Sequence, residues 1–235
     1  MTRMRKLLVI GSINGAVEPL ERLFSRLPES AADGIAVLGD LVGPDSEPDT
    51  HRRIFRTLAE SRWPTYWIPG AGDGPLSGYL REAYNLEIAS KTLRAVHGSA
   101  VRDPNKDYLF AGLGGEIFDD PDEPGDERQL RCPGWEAEYR LKVAHEFEQM
   151  KILMFTTTPA HKGLQEPGSE VVAELIKTHR ARFALVAGDE PTAEWLGKTL
   201  VVAPGRFDEG KCTFIDLQER AVEADTLADE VLASA

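Results

Sequence analysis

Residues 35–44 read IAVLGDLVGP, and this stretch decides the fold. The apolar run Ile35–Leu38 stops at Gly39-Asp40, which is the pattern of a buried strand that delivers a carboxylate at its C-terminal end. Ligands of open α/β sheets bind in the crevice outside the carboxyl ends of the strands. Asp40 is therefore the first candidate site residue.

Four further apolar runs end in the same way, at a loop rich in glycine, proline or polar residues. In chain order the five loops are GSINGAVEPL at 11–20, LGDLVG at 38–43, PGAGDGP at 69–75, FTTTP at 155–159 and AGDEP at 187–191. Helical spacing of apolar residues predicts helices at Thr50–Ser61, Gly134–Met150 and Ser169–His179. We predict an α/β fold with a single domain over residues 1–220 and an acidic tail over residues 221–235, which we expect to form a loose helix.

Composition and charge restrict the partners that this chain can have. Of its 235 residues, 42% are hydrophobic and 28% are charged, as in ordinary globular proteins, and the net charge is −12. Such an acidic chain is poorly suited to nucleic acid or an anionic membrane, both of which need clustered Lys and Arg. Cys132 and Cys212 stand far apart, and the apolar run Leu7–Ile10 is too short for a signal peptide. We therefore expect a cytoplasmic protein with no nucleic-acid and no membrane partner.

The order of the five loops resembles the calcineurin-like metallophosphoesterase superfamily. That family's motifs are Asp-x-His-Gly, Gly-Asp, Gly-Asn-His-Asp, a lone His before a Thr/Pro turn, and Gly-His-x-His, and Ala203-Pro204-Gly205 resembles its Asn-Pro-Gly turn. The resemblance runs from about residue 6 to about residue 217. It implies a four-layer αββα sandwich, with two central mixed β-sheets flanked by helices. It also implies two metal ions bridged by one carboxylate, which activate a water and clamp the phosphoryl oxygens.

Carrying the family's site across residue by residue leaves few of its ligands. The bridging Asp corresponds to Asp40, while the general-acid His corresponds to Gly72 and the Asp that orients it to Asp73. The other ligand positions hold Ser12, Asn14, Ala71, Thr156, Asp189 and Pro191. One of the seven metal ligands is thus kept in kind, and Asp189 offers an oxygen in place of an imidazole. Because a two-metal site depends on ligand count and geometry together, the resemblance implies a degenerate site.

Two functions follow from this comparison. The first is a non-catalytic member of the fold that binds a small ligand or a protein partner through its cleft. The second is a phosphoester hydrolase with an altered, mononuclear site. In it, Asp40 and Asp189 hold Mg²⁺ or Mn²⁺ weakly, and Asn14 and Thr156 offer further oxygens. We expect no tightly bound cofactor. The candidate cleft residues are Ser12, Asn14, Asp40, Asp73, Thr156, His161 and Asp189.

Several candidates also have a local interpretation, which the residues alone leave open. Ser12 and Asn14 are residue types that bond the backbone of a strand-to-helix turn and cap the helix. Asp40 can cap the segment that follows its strand, Thr156–Thr158 is a β-branched strand end, and Asp189-Glu190 precedes a proline as in a turn. The metal interpretation and the local interpretation predict different surroundings for these side chains.

Histidines and aromatic residues add the remaining expectations. His161 lies five residues after Thr156 and is the imidazole that could reach the cleft. The other four are expected outside the site, with His51, His145 and His179 on exposed faces of predicted helices and His97 in a minor strand. The acidic stretch Glu116–Glu127 is expected to be a solvated loop. Aromatic residues on the helix Gly134–Met150 could be core or the interface of a homodimer, namely Trp135, Tyr139 and Phe147.

Overall fold

The structure is a computed structural model that describes residues 3–43, 49–73, 76–126 and 130–226. Its strands are β1 (Lys6–Gly11), β2 (Gly34–Leu38), β3 (Thr65–Ile68), β4 (Leu93–Ala95), β5 (Ser99–Arg102), β6 (Tyr108–Leu113), β7 (Glu116–Phe118), β8 (Arg131–Pro133), β9 (Met150–Phe155), β10 (Phe183–Val186), β11 (Pro191–Leu196), β12 (Thr199–Pro204), β13 (Lys211–Asp216) and β14 (Ala221–Thr226). Its α-helices are α1 (Val17–Arg26), α2 (Thr50–Ala59), α3 (Leu76–Ala89), α4 (Gly134–Leu141) and α5 (Glu170–Thr178).

The strands form two mixed sheets that repeat one plan. The first sheet has the order β14-β13-β1-β2-β3-β4, in which β1 to β4 are parallel and β13 is antiparallel to β1. The second has the order β11-β12-β10-β9-β6-β5, with β12, β10, β9 and β6 parallel and both outer strands antiparallel. A short parallel pair, β7 and β8, stands apart from both. The C-terminal ends of parallel strands within each sheet therefore share one edge.

Alternating side chains of each sheet divide between two layers of core. Along β1, Leu8 and Ile10 pack with the buried faces of α1 and α2, whereas Leu7 and Val9 face the second sheet. Between the sheets the rings of Tyr66 and Phe110 stack with their centroids 3.6 Å apart. A further cluster joins the other face of the second sheet to α4 and α5. The predicted four-layer sandwich, helices outside two mixed sheets, is confirmed.

The helix predicted at Gly134–Met150 is shorter in the structure, whereas α3 extends to Ala89, with Ile88 near its end 86% exposed. Helix α4 ends at Leu141 and continues as a 3₁₀ turn over Lys142–Glu146. Apolar spacing does not separate the two, because i and i+3 lie on the same side of α and 3₁₀ helices.

Two acidic segments are strands where a loop and a helix were expected. Glu116–Phe118 pairs with β8, and Ile117 is buried. Ala221–Thr226 pairs with β13 along its whole length, so the loose helix expected there is wrong. A sheet edge supplies backbone partners that composition does not reveal. Residues 44–48, residues 74–75 of the predicted loop at 69–75, and the tail at 227–235 lie outside the described residues.

Candidate functional site

The ends of five strands meet around one cleft of about 500 Å³. It lies where β1, β2 and β3 of the first sheet and β9 and β10 of the second reach their C-terminal ends. Four of the predicted site residues line it, Ser12, Asp40, Thr156 and Asp189, together with Ala71. Placement at the carboxyl edge of parallel strands is where the sequence pattern put them.

The first two loops are held together by their backbones. Ser12, Asn14 and Asp40 have φ of 51°, 48° and 44°, a left-handed conformation that is uncommon outside glycine. The N–H of Ser12 donates to the carbonyl of Gly39 at 3.3 Å, and the N–H of Asn14 to the carbonyl of Asp40 at 2.8 Å. Helix α1 has Ala16 at its N-cap and no side-chain cap, so the capping role considered for Ser12 and Asn14 is wrong.

The amide of Asn14 is turned toward the segment that follows β12. Its Nδ2 donates to Oδ2 of Asp208 at 3.0 Å, and the guanidinium of Arg206 donates to both oxygens of the same carboxylate. Burial opposes ionisation of Asp208, but the hydrogen bonds from Arg206 and Asn14 outweigh it, so the pKa of Asp208 is lowered. Asn14 does not line the cleft, and Arg206-x-Asp208 is a contact pair that no strand-end motif indicated.

Asp40 lies between two glycine-bearing loops. Its Oδ1 accepts a hydrogen bond from the N–H of Gly72 at 2.9 Å. A Cβ on Gly72 would lie 3.0 Å from that oxygen, so the position of the family's general-acid side chain is filled here by close backbone approach. The carboxylate of Asp40 is thus bound by an amide, in a place where the family arrangement implies metal ions.

Asp73 is buried beneath the cleft at 2% exposure and does not line it. Its carboxyl accepts hydrogen bonds from the N–H of Val42 at 3.0 Å, the N–H of Gly70 at 2.7 Å and the hydroxyl of Tyr79 at 3.0 Å. Burial, with the negative charge of Asp40, raises the pKa of Asp73 to about 7 against the effect of these three bonds. Asp73 therefore ties together the loops that follow β2 and β3.

Three threonines after β9 also serve to connect loops. The hydroxyl of Thr156 donates to the carbonyl of Gly115, and that of Thr157 does so at 3.2 Å while accepting from the N–H of Ile117. The hydroxyl of Thr158 donates to the carbonyl of Ala187 at 3.0 Å. Because all three hydroxyl protons form hydrogen bonds with backbone carbonyls, these hydroxyls can act toward the cleft only as acceptors, through their oxygen lone pairs.

The fifth loop carries Asp189 at the cleft edge. The carboxylate of Asp189 accepts a hydrogen bond from Nε2 of Gln165 at 3.0 Å. The backbone N–H of Asp189 donates to Oε1 of the same Gln165, also at 3.0 Å. His161, four residues before Gln165, is partly buried and does not line the cleft, so the imidazole expected there lies elsewhere. No sequence pattern indicated Gln165, because it belongs to the loop between Pro159 and α5 rather than to a strand end.

One wall of the cleft comes from the acidic stretch that was expected to be solvated. Glu116–Asp119 line the cleft, as do Gln165–Ser169 from the loop before α5. Asp119 accepts hydrogen bonds from the N–H groups of Glu170 and Val171 and from the hydroxyl of Ser169, at the start of α5. Burial opposes ionisation of Asp119, but these bonds prevail and its pKa is lowered.

Carboxylates dominate the charge of this cleft, which we call the acidic cleft. Among the lining residues that the structure describes, five are acidic and none is Lys or Arg; the acidic residues are Asp40, Glu116, Asp119, Glu166 and Asp189. They do not converge on a point. Within the described ranges, no group of three or more His, Cys, Asp and Glu side chains is arranged to hold a metal ion. The donors described here do not fit the two-metal centre that the resemblance implies.

Comparison with known proteins settles the family. The sequence profile described as metallophosphoesterase, calcineurin superfamily, matches residues 45–227. The chain belongs to this family. It is 39% identical to TT1561 of Thermus thermophilus, whose crystal structure superposes with a TM-score of 0.89 over 96% of this chain and 100% of that one.

Two further solved structures show the same fold. A crystal structure 26% identical to the chain has a TM-score of 0.84 and covers 96% of this chain and 100% of its own. A structure titled as a novel archaeal phosphodiesterase has a TM-score of 0.54 at 9% identity, over 94% of this chain and 99% of that one, which shows the fold alone. No curated protein matches the chain. Among the described residues, no helix is long and apolar enough to span a membrane.

Proposed function

We propose that this metallophosphoesterase-family chain uses the acidic cleft to bind a ligand and does not hydrolyse phosphoesters. The observation that carries the proposal is the surroundings of Asp40. Its carboxylate accepts a hydrogen bond from the N–H of Gly72, and the hydroxyl of Thr156 donates one to the carbonyl of Gly115. No imidazole lines the cleft among the described residues. A bridging carboxylate without further strong donors is a poor ligand set for two ions.

Electrostatics indicates what kind of ligand the acidic cleft accepts. Five carboxylates line it, and no lining residue in the described ranges carries a positive charge to offset them. A phosphate group without a metal ion would be repelled by such a wall. We therefore propose a small cation or a neutral polar molecule as the ligand, or a protein partner that presents such a group.

A second candidate function rests on the retention of Asp40 itself. Asp40, Thr156 and Asp189 line one cleft, and their oxygens with added waters form a hard ligand set of the kind that Mg²⁺ or Mn²⁺ accepts. This alternative is a hydrolase with a mononuclear site. Gly72 stands where the family's general acid would be, and general acid catalysis typically contributes about 10²- to 10⁴-fold. Turnover by this route would be slow.

The experiment that separates the two functions is hydrolysis of nitrophenyl phosphate mono- and diesters with added Mn²⁺. The matched control is Asp40→Asn, which removes the charge and keeps the shape. We expect both proteins to show the same background rate. A Mn²⁺-dependent rate in the wild type that is lost in Asp40→Asn would overturn the non-catalytic proposal and support the mononuclear site.

We also propose that the chain works in the cytoplasm. Cys132 and Cys212 are both free and buried, which is consistent with a reducing compartment. Fractionation of the source cells, with detection of the intact chain, tests this placement.

A further inference from the structure

A second pocket lies at the edge of the second sheet opposite the acidic cleft. Strands β9, β10 and β12 are parallel, and their N-terminal ends meet here rather than their C-terminal ends. The pocket has a volume of about 1010 Å³. Residues from four segments line it, within 145–151, 177–182 and 196–199 and at Arg220. We call it the basic pocket.

Its charge is the reverse of the rest of the molecule. Six lining residues are cationic, namely Lys151, Lys177, Arg180, Arg182, Lys198 and Arg220. Glu148 is the one acidic residue among the lining residues described. The whole chain has 39 acidic and 27 basic residues, so six cations around one cavity are a local concentration rather than the average surface. Such a cavity attracts anions and raises their local concentration.

Local structure explains some of these cations but not all. Lys177 and Arg180 lie at the C-terminal end of α5, where positive charge is favourable, and Lys177 pairs with Glu174. Arg182 donates to the carbonyls of Leu217 and Gln218. Lys198 and Arg220 reach the pocket from turns between antiparallel strands.

Those two cations approach from separate turns. Lys198 is exposed on the turn between β11 and β12. Arg220, on the turn between β13 and β14, lies over the ring of Trp195 and donates to the carbonyl of Lys198 at 3.3 Å. Burial and the positive charge of Arg182 lower the pKa of Arg220. Arg182 and Arg220 therefore repel each other, and a bound anion would relieve that repulsion.

A buried histidine supplies an independent sign of a missing ligand. His179 is 3% exposed and lines the pocket, whereas the sequence placed it at the surface. Both of its ring nitrogens are buried and have no hydrogen-bond partner among the described residues. Its ring stacks on His145 with centroids 4.1 Å apart. Burial and the charges of His145 and Lys151 lower the pKa of His179 to about 4, so at neutral pH it offers one N–H donor.

We propose that the basic pocket binds a small anion that carries two or more phosphoryl groups. Arg180, Lys198 and Arg220 surround the charge, since guanidinium groups match phosphate oxygens in pairs of hydrogen bonds. The ring of His179 provides a neutral hydrogen bond at the wall. A cavity of about 1010 Å³ lined by four chain segments suits a ligand of nucleotide size rather than an extended nucleic acid, which binds along a stripe of charge.

Calorimetric titration of the full chain with inorganic tripolyphosphate tests this proposal, without divalent metal so that the acidic cleft is not involved. We expect saturable binding that weakens as salt rises. The variant Arg180→Gln with Lys198→Gln should bind at least about tenfold more weakly. The matched control is Lys91→Gln with Lys106→Gln, which removes the same charge from exposed sites; Lys106, like Arg180, has a positive φ. Equal affinity in the two double variants would overturn the proposal.

A second variant tests the role of the buried imidazole. His179→Phe keeps the stack on His145 and removes both unpartnered nitrogens, so its melting temperature should be unchanged or higher. Its affinity for tripolyphosphate should nevertheless fall at least about fivefold, as expected for the loss of one hydrogen bond. A normal affinity in this variant would overturn the assignment of His179 to the site. Binding of citrate in preference to tripolyphosphate, or binding of a ten-nucleotide single strand alone, would overturn the assignment to a small phosphorylated anion.

Discussion

Asp40 is held at a φ of 44°, a conformation that asparagine accepts at least as well as aspartate. Its charge also raises the pKa of the buried Asp73. We therefore expect Asp40→Asn to leave the free energy of unfolding unchanged or to raise it, in urea denaturation at neutral pH. A loss of about 1 kcal/mol or more would show that the Asp40 carboxylate is paired with something that stabilises the fold.

Asp73 has the opposite expectation, since three donors converge on its carboxyl. In Asp73→Asn the amide nitrogen must face either the N–H of Val42 or the N–H of Gly70, and a buried donor then loses its acceptor. We expect a loss of about 1–3 kcal/mol of stability by the same urea measurement. An unchanged midpoint would mean that the two loops are held by other contacts.

The raised pKa of Asp73 should make the stability of the fold depend on pH. Its folded pKa of about 7 is above the ordinary value of 3.8, so the fold favours the protonated carboxyl. The contribution of this group is fully present below about pH 4 and is lost as pH rises toward 7. The free energy of unfolding of the wild type should therefore exceed that of Asp73→Asn by less and less as pH rises from about 4 to about 7. A difference that grows with pH would show that the ionised form is preferred.

At the scale of elements, the contact between the loops after β2 and β3 depends on a residue without a side chain. A Cβ on Gly39 would lie 2.5 Å from the Cα of Gly70, and Gly39 has a φ of 53°. Gly197 has a φ of 63° but nothing within 4 Å of its added Cβ. Gly197→Ala should cost about 1 kcal/mol for its backbone conformation alone, and Gly39→Ala at least about 2 kcal/mol more. Equal thermal unfolding of the two variants would contradict the close approach.

Helix α5 depends on a carboxylate fifty residues away in sequence. Asp119 accepts three hydrogen bonds at its first turn, so Asp119→Ala should lower stability by about 1–2 kcal/mol. Because the pKa of Asp119 is lowered in the fold, this contribution is present at neutral pH and is lost as pH falls through that pKa. Asp122→Ala, an exposed change in the same segment, is the control for altered net charge. Equal losses in both variants at neutral pH would contradict the capping role.

Helix α4 leaves its aromatic face open. Trp135 and Tyr139 are 61% and 63% exposed, while Phe147 beyond the helix is partly buried against the second sheet's outer core. The first two are thus not core residues. A homodimer through this face stays a prediction, and gel filtration of the wild type beside a Trp135→Ser variant tests it.

For the whole molecule, the sequence predicted the positions of the strands better than the contacts between the loops that line the site. The apolar runs Leu7–Ile10 and Ile35–Leu38 lie within β1 and β2, because continuous apolar runs between turn residues leave few alternatives. The same pattern placed Ser12, Asp40 and Thr156 at one edge. Contacts between distant segments were not predictable in this way.

Three features show why. The wall at Glu116–Asp119 read as a solvated loop, and its role depends on pairing with β8 and on contact with α5. His179 read as a surface residue because it follows an amphipathic helix, yet the packing of neighbouring segments buries it. Gln165 lies in a loop between elements and meets Asp189 only in the folded chain. Local patterns record which residues are apolar or polar, whereas these features depend on which segments meet in three dimensions.

The proposed non-catalytic function requires that Asp40 does not bridge two metal ions. The most direct measurement is anomalous scattering from crystals of the wild-type protein, purified without chelator and soaked in Mn²⁺. We expect no manganese peak at full occupancy within coordination distance of Asp40. Two fully occupied manganese ions bridged by the Asp40 carboxylate would contradict it.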